Sequence, residues 1–332
     1  MKRLKRKVNN LDIRRFRTAV QIMMFVFIAY GGYLAVDLGN HLPTFACAFI
    51  EKGVGTCFLF GLQHRMTIPF DQLGSFRGLG ILISVFWFLA WFIVLNKAWC
   101  GYICPLGTLQ DWITALRTRL KIRYSQYSGP GFKKLGKIKY ILLALIVLIP
   151  LGISNAILGL PKLSHDFSTF FCMICPARTI LPLFSGDPSQ LAVDFSSVTR
   201  MVLTALGMVV TGLFVAGAFV KKRFFCLFCP MSAFHYLFSK MGLLKLKKNG
   251  SSCTACGNCY RACDMGIREI ADDVTHFNMV NEDCMMCFKC VAVCPEENCL
   301  QVTLLGKPIY TATEEGFHLR SQKRIMYGIN AD

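Results

Sequence analysis

The runs Cys253-Thr254-Ala255-Cys256-Gly257-Asn258-Cys259-Tyr260-Arg261-Ala262-Cys263 and Cys284-Met285-Met286-Cys287-Phe288-Lys289-Cys290-Val291-Ala292-Val293-Cys294-Pro295 decide the fold near the C-terminus. Three cysteines spaced by two residues wrap one cubane, and the fourth, three residues on, ligates the other cluster. Two such runs in succession predict a module holding two [4Fe–4S] clusters. The spacing assigns Cys253, Cys256, Cys259 and Cys294 to one centre and Cys263, Cys284, Cys287 and Cys290 to the other. Structural zinc is the competing explanation, but four-cysteine zinc sites use two separated Cys-x2-Cys pairs. Cys299 is expected as a small packed residue near the second cubane.

Working outward, the chain of 332 residues is 54% hydrophobic, with a mean hydropathy of +0.46 and a net charge of +18. That composition predicts membrane spans beside a soluble part. Aromatic–basic interleaving and nucleic-acid motifs are missing, so the charge is read as membrane topology rather than as a nucleic-acid partner. Four apolar runs have the length of a span: Thr18–Val36, Gly78–Asn96, Lys139–Ile157 and Arg200–Val220. Each is expected to be helical, because backbone polar groups in lipid must bond within the segment. Lys and Arg crowd the N-terminal arm, the segment after the second run and Lys221-Lys222-Arg223 after the fourth. The other two loops carry few, which predicts that both termini lie in the cytoplasm.

The expected organisation is a basic arm (1–17), a four-helix membrane domain (18–230), an interfacial amphipathic helix and hinge (231–250), an α+β double-cubane ferredoxin-like domain (251–304) and a polar tail (305–332). No internal repeat is visible apart from the two cluster runs.

Eight further cysteines form pairs. Cys100-x3-Cys104-Pro105 and Cys226-x2-Cys229-Pro230 follow the second and fourth runs, on the expected cytoplasmic side. Cys47, Cys57 and Cys172-x2-Cys175-Pro176 fall in the expected outer loops. Topology therefore predicts four cysteines at each membrane face. The cytoplasmic quartet could complete another cluster site, with zinc, a redox dithiol or buried free thiols as alternatives. The outer quartet could do the same or form disulfides, Cys172 with Cys175 or Cys47 with Cys57.

At Cys100-Gly101-Tyr102-Ile103-Cys104-Pro105-Leu106-Gly107-Thr108-Leu109-Gln110-Asp111 the chain resembles membrane polyferredoxins of the NapH and NosR type. The resemblance covers about residues 78–300. It implies an electron-transfer subunit of the quinol-dehydrogenase type, working between the quinone pool and a respiratory oxidoreductase or its regulator in the cytoplasmic (inner) membrane. Cys100, Cys104 and the eight ferredoxin cysteines match the family's motifs. Cys226 and Cys229 depart from it, with two intervening residues instead of three, and the motif at Cys172 and Cys175 lies outside the pattern.

Haem and flavin are not expected: there is no Cys-x2-Cys-His, no histidine in any of the four runs and no flavin fingerprint. His41, His64 and His165 fall in outer loops. His64 beside Arg65 is the quinone-site candidate, since histidine can accept a proton near neutral pH; Asp71 is a comparable one. His235 and the four tryptophans are read as packing and interfacial residues. The expected partners are redox subunits, quinone and membrane lipid. Two rival functions stay open: transmembrane thiol–disulfide reduction through Cys172 and Cys175, and metal reduction during maturation of a respiratory oxidase.

Overall fold

In the computed structural model, residues 8–34, 46–51, 53–72, 74–122, 134–155 and 164–326 are described. The first arm residues, His41, the ends of the first and third apolar runs and the loop at Gly129-Pro130-Gly131 fall outside them. The long helices are α1 (Ile13–Tyr30), α3 (Phe76–Leu95), α5 (Ile138–Ser154) and α7 (Val198–Val220). The shorter helices between and after them include α2 (Phe58–Met66), α4 (Pro105–Arg119), α6 (Pro176–Phe184) and α8 (Pro230–Phe238).

Three stretches among the described residues are long and apolar enough to cross a membrane: Gly78–Leu95, Lys134–Ser154 and Val198–Val220. Their outward side chains, such as Leu82, Phe86, Ile141, Val209 and Leu213, are exposed apolar residues, as lipid contact requires. A fourth span is expected over Thr18–Val36 from its apolar length. Its described part, α1, is anchored at its start by buried polar contacts: Arg17 and Gln21 both donate to the Gly101 carbonyl, at 2.9 and 3.0 Å.

The C-terminal unit is a three-stranded antiparallel sheet ordered β1 (Leu244–Lys248), β2 (Leu300–Leu304), β3 (Lys307–Thr311). Leu246 pairs with Val302 and Val302 with Tyr310, all three buried. Here two expectations are corrected. The expected amphipathic helix over 231–248 stops at Phe238, because Leu244-Lys245-Leu246-Lys247-Lys248 alternates with period two and buries Leu244, Leu246 and Lys248 on one face of a strand. The expected hinge at 249–252 is tied down, with Asn249 N–H donating to the Cys299 carbonyl at 2.7 Å.

Nor is the segment from 305 a loose tail. It forms β3 and then α9 (Glu314–Met326). Arg320 in α9 donates to the carbonyls of Ala292 and Asn9, both at 2.7 Å, so α9 ties the segment at Asn9 to the cluster domain.

Candidate iron–sulfur centres

The two ferredoxin loops share one backbone device. Ala255 and Gly257 flank Cys256 with φ of 54° and 73°, and Met286 and Phe288 flank Cys287 with φ of 48° and 60°. Left-handed residues alternating with ordinary ones turn successive N–H groups to one side, which suits an anionic group. Each loop encloses a void of about 20 Å³. Cys263, Cys284, Cys287 and Cys290 line one; Cys253, Cys256, Cys259 and Cys294 line the other, and Cys299 lies beside this set rather than beside the second centre as expected. These are the two sets that the spacing assigns. Among the described residues, no three His, Cys, Asp or Glu side chains converge closely enough for a single metal ion. The sulfurs ring a space instead, as a cubane needs and a lone zinc ion does not. Burial pushes the Cys263 thiol up to about 12 and those of Cys259 and Cys284 to about 11. Loading therefore releases protons as thiolates form.

The other eight cysteines all line one largely apolar void of about 110 Å³, more than five times the space inside either ferredoxin loop. This corrects the expectation of one quartet at each membrane face. The reason lies in how the Cys172–Cys175 loop enters. Gly207 lies about 14 Å along α7, a helix roughly 34 Å long, and a Cβ there would meet the Met173 carbonyl oxygen at 2.4 Å. Only glycine lets that loop press against the middle of the helix, so it reaches inward rather than resting at the outer surface. Irregular backbone at such depth is tolerated where it is buried and lines a cavity.

Four of the eight cysteines start helices. Cys57, Cys104, Cys175 and Cys229 are the N-caps of α2, α4, α6 and α8, all extended (φ −60° to −67°, ψ 118° to 134°). Proline takes the first helical position after the last three, where its missing N–H costs nothing. Four helix N-termini thus start at the void, and each favours negative charge. Lys97 and Arg178 add cations to its wall.

The cage is braced by buried polar residues that motif spacing does not mark. Gln110 donates to Cys226 Sγ at 3.7 Å and accepts from Phe225 N–H at 3.0 Å. Gln63 donates to Cys172 Sγ at 3.2 Å and accepts from Phe171 N–H at 3.2 Å. Arg223 donates to both oxygens of Asp111, at 2.9 and 2.6 Å, and to the Cys100 carbonyl at 3.0 Å. Their only sequence signal is polarity within apolar surroundings.

The ferredoxin forms part of the wall of this cage, for Cys284 and Met285 line the same void. A Cβ on Gly101 would lie 2.6 Å from the Met285 carbonyl oxygen, so the Cys100 loop and the Cys284 loop pack backbone to backbone. Arg17 bridges Asp111 and Asp264 at 2.6 and 3.1 Å, and Lys289 reaches Asp264 at 2.6 Å. Burial would push the Asp264 carboxyl up, but Lys289, Arg17 and Lys222 together hold it well below the usual carboxylate range. Lys97 donates to the Glu282 carbonyl at 2.5 Å from beside Cys100.

The quinone candidates lie elsewhere. His64 is exposed near the end of α2, Arg65 donates to the Gly80 carbonyl at 2.9 Å, and neither lines the void. His235, read as a packing or interfacial residue, is fully buried, with Nδ1 3.5 Å from Cys100 Sγ.

A 4Fe-4S binding domain matches residues 77–123 and again 203–249, and a 4Fe-4S dicluster domain matches 245–295. The double match revises the expectation of no repeat outside the ferredoxin: a long helix followed by a cysteine-proline helix start occurs twice. The chain is similar to membrane polyferredoxins of the NapH/NosR type, at low identity. It is 26% identical over 77% of its length to YccM of Escherichia coli (strain K12), a protein named for electron transport, covering 64% of that protein. It is 25% identical to the protein NirI of Paracoccus denitrificans (67% of this chain, 29% of NirI) and 22% identical to the ferredoxin-type protein NapH of Escherichia coli (65% and 64%). These matches leave a third or more of each relative uncovered. No solved structure matches the chain. Its apolar helices and 4Fe-4S domain matches support a membrane protein with iron–sulfur domains.

Proposed function

We propose that the protein carries electrons between the quinone pool, or another redox partner, and a respiratory oxidoreductase, as a subunit of a complex in the cytoplasmic membrane. Its two termini and its ferredoxin domain would face the cytoplasm, a placement supported by the distribution of Lys and Arg. The ferredoxin cysteines would hold two [4Fe–4S] clusters in the crossed assignment, and Cys100, Cys104, Cys226 and Cys229 a third. When bound, these clusters supply one-electron chemistry.

One observation carries this reading: the Cys284 loop of the ferredoxin forms part of the wall of the void lined by the membrane cysteines. A ferredoxin merely tethered to a membrane anchor would need no such shared wall. The protein's own residues position and insulate the centres. Arg17, Asp111, Asp264 and Arg223 lock the two parts together. Thiol–disulfide exchange with an external partner is disfavoured, because Cys172 is buried and an attacking thiolate needs access.

The test is quinol-driven reduction in sealed membrane vesicles, read by bleaching of cluster absorbance and by EPR. Reduction by quinol is expected. Clusters that dithionite reduces but quinol does not would remove the quinone link.

A further inference from the structure

The Cys172 loop repeats the Cys226 loop. Phe170-Phe171-Cys172-Met173-Ile174-Cys175-Pro176 and Phe224-Phe225-Cys226-Leu227-Phe228-Cys229-Pro230 agree at the two phenylalanines, both cysteines and the proline. Their partners agree as well. Gln63 stands six residues after the N-cap Cys57, and Gln110 six after the N-cap Cys104. Both glutamines are fully buried. Each donates to the carbonyl four residues back (Leu59, Leu106) and to the first cysteine of the opposite loop (Cys172, Cys226). Each accepts from the N–H of the phenylalanine before that cysteine (Phe171, Phe225). The second cysteine of each loop then caps a helix opened by proline.

We infer that Cys47, Cys57, Cys172 and Cys175 hold an iron–sulfur cluster of their own, in the same void as the Cys100/Cys104/Cys226/Cys229 site and built by the same device. This rests on the reading of the latter quartet as a cluster site. Disulfides would need none of the shared architecture. A Cys172–Cys175 or Cys47–Cys57 bond leaves the Gln63 amide without a thiolate to stabilise, and it explains neither the repeated motif nor the common void. The void also has room, at more than five times the free space of one ferredoxin site. Arg178 beside Cys47 and the N-termini of α2 and α6 offset the charge of a thiolate-held cluster.

The test uses the full chain, purified anaerobically in lipid nanodiscs, with iron and acid-labile sulfide counted per chain and the ferredoxin EPR signals as the control for folding. Cys172→Ser with Cys175→Ser should lose about four irons, and Cys100→Ser with Cys226→Ser a different four, at four per cubane. Gln63→Leu should keep all the iron and move the midpoint of one cluster to more negative potential, since one hydrogen bond to its sulfur is gone. Gln110→Leu should move another. Iron unchanged on losing Cys172 and Cys175, with four lost on losing Cys100 and Cys226, overturns this inference alone. Iron unchanged in both pairs overturns the membrane cluster of the proposed function too. A disulfide between Cys172 and Cys175 in the anaerobic wild-type protein also overturns the inference.

Discussion

The ferredoxin domain and the membrane cage both gather cysteines round a void, by opposite means. In the ferredoxin each void is lined by three cysteines from one short loop and one from the other run, and left-handed residues such as Gly257 and Phe288 turn the loop. In the cage the eight cysteines come in pairs from segments far apart in sequence, one of each pair at a helix start. The ferredoxin sites are therefore largely local, whereas the cage exists only when helices pack. The buried residues Gln63, Gln110 and Arg223, with the part-buried Asp111, do in the cage what loop geometry does in the ferredoxin.

The comparison breaks most sharply at the crossed ligands. Cys294→Ser should perturb the cubane of Cys253, Cys256 and Cys259, and Cys263→Ser the other, each at a cost of up to about four irons. EPR of the two variants decides this: signals lost in the reverse order would refute the crossing. Next in size is the lock between the two regions. Asp264→Asn leaves the buried Arg17 and the part-buried Lys289 beside a neutral amide, and removing one partner of a buried ion pair costs about 3–5 kcal/mol. Urea unfolding of the detergent-solubilised protein should show it, and an unchanged midpoint would mean that the network is not holding the interface.

Gly101→Ala should cost about 1–3 kcal/mol through overpacking against the Met285 carbonyl. Faster proteolytic cleavage between the membrane part and β1 would report it; wild-type cleavage would place the interface elsewhere. The smallest effect is expected from Lys97→Met. It removes a cation beside Cys100 and Cys284 without touching a thiol, so iron content should hold. The midpoints of the adjoining clusters should fall by up to about 60 mV, the one-electron equivalent of a tenfold change in equilibrium. Potentials unchanged within error would show that Lys97 serves packing alone.

The same contrast explains what could be read from the chain before its structure. The spacing from Cys253 to Cys294 suggests the same two sets of cysteines that line the two voids, because a spacing of two and three residues is itself the geometry of a local loop. The apolar cores of α3, α5 and α7 were legible from length alone. The cage was not. Sorting loops by their flanking charges put Cys172 and Cys226 at opposite faces, whereas Gly207 lets the Cys172 loop reach the middle of α7. Periodicity also misled at Leu244–Lys248, where five residues fit either a helix face or a strand until the pairing with Leu300–Leu304 decides. The glutamines carried no motif, yet the repeated Phe-Phe-Cys-x2-Cys-Pro was in plain sight and, compared with itself, would have pointed to a second copy of the site.

The most direct test of the central claim is iron and acid-labile sulfide per chain in anaerobically purified full-length protein. If the membrane part is a cage continuous with the ferredoxin, the count should be about sixteen irons, at four per cubane. A count of about eight, with Cys100, Cys104, Cys226 and Cys229 alkylated as free thiols, would contradict it and leave a ferredoxin on a membrane anchor.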